Sequence, residues 1–236
     1  MSTNYLGAEP HGPLQQISED CWYVTGTVMF KPLLRLPRNM IILRHKDMLT
    51  LINSVRPDEA GDRSLEALGK IAHIMTIGFH QMDDAYYLNK YGATQWLVPG
   101  ADANPEARQT CQLTENAELP VPDMRVFLFK ETIKGEAALL LERDGGLLIT
   151  CDSVQHWMPS ELMSPLAKLV TRMIGFQKPA QIGPPWRKTQ TPPGGSLRGD
   201  FERLLELPFE RLIGGHGGLL ESAAHDALAM SVEREL

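Results

Sequence analysis

Only three cysteines occur in 236 residues, Cys21, Cys111 and Cys151, odd in number, far apart and never in a Cys-x-x-Cys spacing. A disulfide framework and a structural zinc knuckle are both unsupported, and a reducing, cytoplasmic setting is the expectation. An excess of positive charge is also missing. With 23 Lys and Arg against 29 Asp and Glu the net charge is −6, which argues against a general electrostatic grip on nucleic acid or anionic membrane. Neither is expected as a partner. No apolar run approaches the ~20 residues that span a bilayer. The first ten residues have no basic start followed by an apolar core and do not read as a signal peptide. Nor does any Gly-x-Ser-x-Gly elbow, phosphate-binding loop or Gly-x-Gly-x-x-Gly turn follow a strand. Serine hydrolase, nucleotide hydrolase and dinucleotide oxidoreductase readings therefore have no support.

What is present is ordinary globular material, 43% hydrophobic and 22% charged, enough for a sizeable core. Residues 1–18 are polar, carry Pro10 and Pro13, and read as an arm or an edge element ahead of one domain over residues 19–236. Strand-like runs follow at 21–30, 39–44 and 48–52, broken by Pro37 and by the His45-Lys46-Asp47 turn. Leu65, Leu68, Ile71 and Ala72 have helical spacing, so residues 63–73 read as a helix feeding an apolar strand that ends at Gly78. The polar cluster His80, Asp83 and Asp84 comes next, then a short helix over 84–91 closed by Gly92 and a strand over 94–98. After a polar, turn-rich stretch the strand patterns at 125–130, 136–142 and 147–151, with a turn at Asp144-Gly-Gly146, make a second meander.

Residues 160–176 form the clearest amphipathic helix, with Leu162, Met163, Leu166, Leu169, Val170, Met173 and Ile174 on one side. A core-facing role is the expectation for that side, a lid or a dimer surface the alternative. Residues 178–199 are dense in Pro and Gly and read as a mobile connection or a functional loop. A helix near Asp200, a strand over 211–213, the turn Gly214-Gly-His-Gly-Gly218 and a last helix complete the chain. Strands, helices, strands and helices in that order suggest two sheets packed face to face with helices outside.

The motif His80-Gln81-Met82-Asp83-Asp84-Ala85 after an apolar strand resembles the signature of the metallo-β-lactamase superfamily, a strand followed by His-x-His-x-Asp-His. Met82 and Ala85 stand where that family has histidines. Asn53-Ser54 likewise ends strand 48–52 where many members carry Asp-Thr-Gly. The resemblance covers roughly residues 20–236 and implies an α/β (α+β) fold, a four-layer αββα sandwich of two mixed sheets with helices on the outer faces.

For the first of the family's two metals, His80 matches, Met82 does not, and the third position falls on Thr132 in Thr132-Ile-Lys-Gly-Glu136. That site is expected to be empty. For the second, Asp84, Asp152 in Thr150-Cys151-Asp152 and His216 match, and only Ala85 does not. With His80 adding a nitrogen, His80, Asp84, Asp152 and His216 would hold one divalent ion, Zn, Fe or Mn. His80 or Asp83 would orient or deprotonate a water at that ion.

Each residue also has a plainer reading. His216 is a turn residue, Asp152 a cap of the following segment, and Asp83 and Asp84 a favourable acidic start to the next helix. His156 is a substitute ligand, a partner of Asp152, or an ordinary packed side chain. Met82 reads as packing, and His45, His73 and His225 as structural. The resemblance thus implies a metal-dependent hydrolase-like protein with a reduced site and a small-molecule substrate. The alternative is a non-catalytic scaffold of the same fold that has lost its metals. A homodimer through residues 162–174 is a third reading.

Overall fold

A computed structural model describes residues 7–176 and 178–236. The first sheet has seven strands whose spatial order follows the chain: β1 (Gln15–Ser18), β2 (Cys21–Lys31), β3 (Leu34–His45), β4 (Met48–Ile52), β5 (Lys70–Thr76), β6 (Thr94–Leu97) and β7 (Thr110–Gln112). Its first half is an antiparallel meander. From β4 onward the strands run parallel: α1 (Glu59–Leu68) and α2 (Asp84–Tyr91) carry the chain back between β4, β5 and β6, and the segment 98–109 does so without a helix between β6 and β7. The second sheet is built from β8 (Met124–Leu128), β9 (Ala137–Leu141) and β10 (Leu147–Ile149). The chain then passes through β11 (Val154–Gln155), α3 (Pro165–Met173), β12 (Gln181–Ile182), α4 (Pro184–Gln190) and α5 (Arg198–Leu204). It returns to the sheet as β13 (Arg211–Ile213) and β14 (Leu219–Leu220), and α6 (Ala224–Glu235) follows. The strand order is β14-β13-β10-β9-β8.

The strand sequences show why two sheets stack with helices outside. Alternate residues of β3 and β9 point to opposite faces, yet Met40 to Leu43 and Ala137 to Leu141 are buried throughout. Both faces must therefore be covered. Ile41, Leu43, Leu139 and Leu141 meet in the core between the sheets. Met40 and Ile42 pack on Leu65, Tyr87 and Leu88 of α1 and α2, while Ala138 and Leu140 pack on Phe201 and Leu228 of α5 and α6. Three apolar layers separate four structural ones, the αββα sandwich that the resemblance implied.

Several expectations are corrected at their boundaries. Of the two readings of the N-terminal stretch, residues 15–18 take the second, as the edge strand β1 of the first sheet. The helix expected over 63–73 ends at Leu68, because Lys70 to His73 are drawn into the ladder with β4. Pro37 does not break a strand: it pairs with Thr27 inside β3. β4 covers only Ile41 to His45, so Pro37 lies where β3 has an open side and a missing N–H costs nothing. Within 178–199 the chain forms β12, α4 and the start of α5 rather than one irregular loop.

The largest correction concerns α3. It is nine residues long, begins with Ser164 as N-cap and Pro165 in the first turn, and buries only Ala167 and Thr171. The apolar side expected to face the core is turned outward, with Leu169 54% and Met173 77% exposed. Hairpin contacts fix this orientation: Ser164 Oγ donates to Leu33 O at 2.7 Å, and Arg35 Nε to Leu162 O at 3.0 Å.

The Asp144-Gly-Gly146 turn is a tight point of the second sheet. Gly146 has φ +87°, and a Cβ there would stand 2.3 Å from the Pro208 carbonyl oxygen. Gly146→Ala is expected to lower stability by at least about 1–3 kcal/mol, measured as a lower denaturant midpoint with an unchanged slope.

Candidate functional site

Three connections emerge at one edge of the sandwich: the segment after β5, the segment after β10 and the glycine-rich turn after β13. The sheets are tied together there, with Ala137 N donating to Ile77 O at 2.8 Å and Asn53 Nδ2 to Thr150 O at 3.3 Å. β3 grips the third connection. Asn39 Nδ2 donates to the carbonyls of Gly214 and Gly217 at 2.9 and 3.0 Å, and its backbone N–H to that of Gly215 at 2.9 Å. A Cβ on Gly215 would lie 2.9 Å from His80 Cε1 and 3.0 Å from Cys151 O. Only a residue without a side chain lets the three connections close up.

His80, Asp152 and His216 meet at this point. Asp152 Oδ1 lies 3.5 Å from Nε2 of His80 and 3.2 Å from Nε2 of His216. The two imidazoles stand edge to face with centroids 4.7 Å apart. Nδ1 of His216 donates to the Pro37 carbonyl at 2.6 Å, which fixes its proton on that side and aims Nε2 at the carboxylate. The ring stacks on Trp157 at 5.4 Å and 17°. His80 Nδ1 is buried with no hydrogen-bond partner among the described residues. Gln155, itself buried, donates through Nε2 to Asp152 Oδ1 at 3.2 Å and accepts from the Trp157 indole.

Electrostatics follow from this packing. Burial alone would raise the Asp152 carboxyl, but the two imidazoles that face it and the hydrogen bonds they give overcome it and hold the group far below the usual carboxylate range. Burial works against protonated His216 too, yet the bond and charge of Asp152 raise its pKa overall. His80 goes the other way: burial, only partly offset by Asp152, pushes its pKa down and favours the neutral ring. Two carboxyl and thiol neighbours complete the floor. Burial, reinforced by Asp152 and Glu136, pushes the Cys151 thiol well up. Burial, then Asp152, raises Glu136 from 4.5 to about 8, although both its oxygens accept bonds, from Ser153 N at 3.0 Å and Trp186 Nε1 at 2.5 Å.

Asp83 and Asp84 lie apart from this centre. Asp84, at the start of α2, is fully buried and accepts from Ser54 Oγ and Thr76 Oγ1, both at 2.5 Å. Burial raises its carboxyl, with those hydroxyls opposing. Asp83 is ion-paired with Arg38 and accepts from Arg56 N at 2.7 Å. Arg38 in turn donates to Ser54 O at 3.0 Å. Among the described residues, the one group of three His, Cys, Asp or Glu side chains whose ligand atoms all lie within 4.8 Å of one another is His80, Cys151 and Asp152. His216 and His156 are outside it, and Nδ1 of His156 also lacks a partner among the described residues. His73 takes the Trp96 indole N–H at 3.3 Å and His225 bonds Leu205 O at 2.8 Å, both away from the site.

Asn39, Arg38, Gln155 and Glu136 were not singled out in the sequence. Glu136 alone left a signal, a carboxylate heading the apolar run that became β9. Above the His80, Asp152 and His216 cluster lies a cavity of about 410 Å³, walled by Phe30 and Leu36 of the β2–β3 hairpin, Val170 of α3 and its C-cap Ile174, Phe79 and Trp186. Met82 lies on the same wall and is 45% exposed. The chain therefore offers two imidazole nitrogens and a carboxylate oxygen at the floor of an apolar chamber.

No protein-family model and no curated relative matches the sequence. Solved structures do resemble it. A metallo-β-lactamase from Erythrobacter litoralis superposes with TM-score 0.62 at 12% identity, covering 98% of this chain and 96% of the other. The metallo-β-lactamase FIM-1 from Pseudomonas aeruginosa, in a mono-zinc form, gives 0.63 at 12%, covering 96% of each. DIM-1 metallo-β-lactamase exposed to ceftazidime gives 0.64 at 11%, covering 98% and 100%. The chain has the metallo-β-lactamase fold.

The raised Glu136 gives a pH test. A carboxyl that binds its proton more tightly when folded contributes stability fully present below its unfolded value of 4.5 and lost as pH rises through about 8. Wild-type stability should fall across that window, whereas Glu136→Gln should lose much of the slope. Denaturant midpoints measured along a pH series check this, and parallel curves for the two proteins would count against it.

Proposed function

We propose that the chain is a metal-dependent hydrolase-like protein that acts on a small molecule through one divalent ion, Zn, Fe or Mn, held by His80, Asp152 and His216. The observation that carries the reading is the aim of two imidazole Nε2 atoms at a single carboxylate oxygen, 3.5 and 3.2 Å away, beneath an apolar cavity. The donors fit such an ion by type, since borderline cations take imidazole nitrogen together with carboxylate oxygen. They fit by support as well, because a ligating His commonly anchors its other nitrogen on a backbone carbonyl, as His216 does on Pro37. The ion would polarise the scissile group and lower the pKa of a bound water.

The remaining roles belong to the chain. His216 keeps its proton at Nδ1 against Pro37, leaving Nε2 for the ion. Burial favours the neutral ring at His80, which would present Nε2 to the ion with its proton moved to the unpartnered Nδ1. Gln155 orients Asp152 through Oδ1. Asp84 supports the His80 segment from behind through Ser54 and Thr76, and Asp83 does so through Arg38, so neither is placed among the ligands or at the reacting atoms. The cavity wall favours an uncharged, apolar part of a substrate and keeps bulk water from it.

One observation favours a second reading, a metal-free scaffold. Met82, Ala85 and Thr132 occupy ligand positions of the resemblance, and both Asp84 oxygens are engaged by hydroxyls. Elemental analysis of protein purified without a His tag separates the two. About one equivalent of metal is expected in the wild type and none in Asp152→Ala with His216→Ala. Asp84→Ala is expected to keep its metal while losing roughly 1–3 kcal/mol of stability from the stranded hydroxyls. A wild type that stays metal-free after incubation with Zn, Fe and Mn would leave the scaffold reading in its place.

A further inference from the structure

The tip of the β2–β3 hairpin and the outward side of α3 form one apolar face. Met29, Phe30 and Leu33 are 49, 65 and 76% exposed on the hairpin, and Leu166, Leu169, Met173 and Ile174 are 41, 54, 77 and 46% exposed on α3. The Ser164 and Arg35 bonds described above lock the two elements together, and both wall the cavity over His80.

Charge on this face is one-sided. The segments that build it, residues 29–36 and 162–176, contain Lys31, Arg35, Lys168 and Arg172 and not one Asp or Glu, in a chain of net charge −6. Arg38, Arg44 and Arg198 are taken up by Asp83, Asp20, Glu202 and Glu233. Lys31, Lys168, Arg172 and Lys178 are exposed and in no ion pair among the described residues. Glu161 precedes the helix, and Glu9 and Asp83, the latter paired with Arg38, border Met29 at its margin.

We propose that this face seats the protein on an anionic lipid surface, with Leu33, Met173 and their apolar neighbours at the acyl boundary and the four cations against headgroup phosphates. An amphipathic helix with Lys and Arg beside an exposed apolar stripe has the composition that binds such an interface. Charge complementarity disfavours a second copy as occupant, since a two-fold contact would set Lys168 and Arg172 near their own duplicates with few carboxylates to answer them. The expectation of no membrane partner rested on net charge, which averages this asymmetry away. Docking would also place the cavity mouth beside the acyl layer, a direct route for an apolar group.

The test is co-sedimentation with phosphatidylcholine vesicles made with and without phosphatidylserine. Binding is expected only to the anionic vesicles and to weaken as salt rises. Lys168→Glu with Arg172→Glu should reduce it by about tenfold or more, and Leu33→Glu with Met173→Glu should do at least as much. All four positions are exposed, so circular dichroism should show unchanged folds. A wild type that sediments with neither vesicle would overturn the proposal, as would equal, salt-independent binding to both. So would a concentration-dependent dimer, broken by Met173→Glu, in protein that ignores vesicles; that result would assign the face to a second copy.

Discussion

Burial on both faces of both sheets is the constraint that the rest of this structure obeys. Ile41 and Met40, adjacent in β3, serve opposite apolar layers, as do Leu139 and Leu140 in β9. A strand with both faces covered has no room for unpaired polar chemistry along its length. Polar groups that do chemistry must then sit where strands end, and in this fold three ends coincide. His80, Asp152 and His216 come from segments far apart in sequence and share a corner because β5, β10 and β13 all finish at the same edge.

That corner is expensive to build. It places a carboxylate, a second carboxyl, a thiol and two imidazoles within a mostly buried volume, and each would be driven toward its neutral form by desolvation alone. The arrangement resolves the conflict unevenly. Asp152 keeps its charge because two histidines face it, while Glu136 and Cys151, without a comparable cation, are pushed toward protonation. A second set of buried polar groups, Ser54, Thr76, Asp83, Asp84 and Arg38, is satisfied internally just behind it. The division between a converging set and a self-contained set separates residues with donors to spare from residues that hold the wall.

The sequence carried the layers well and the contacts poorly. Strand 48–52, helix 84–91 and strand 211–213 were legible to the residue, since their periodicity and stop signals are local. Asp152 after a strand and His216 among glycines were likewise visible from immediate context. Asp83 and Asp84 shared that context with His80, and nothing local distinguished the side chain turned toward the corner from those turned to Arg38 and Ser54. Asn39 was invisible for a different reason: its partners at Gly214 and Gly217 lie more than a hundred residues on. For α3, spacing revealed an apolar side but not what it would face, because amphipathicity is a property of the helix and burial a property of its neighbours.

The β3 strand joins two of these regions through a short span. Leu33 and Leu34 are at the hairpin tip and mouth, and three residues further Pro37 accepts the His216 proton at 2.6 Å, followed by Asn39 clasping the turn that carries His216. No flexible linker lies between them, since residues 34–45 are one continuous strand. The hairpin is thus the long arm of a lever whose short arm rests on an imidazole. Any tilt of the outer arm must either carry His216 with it or break the Pro37 bond, so a load borne at the surface is felt, with little slack, at the floor of the cavity.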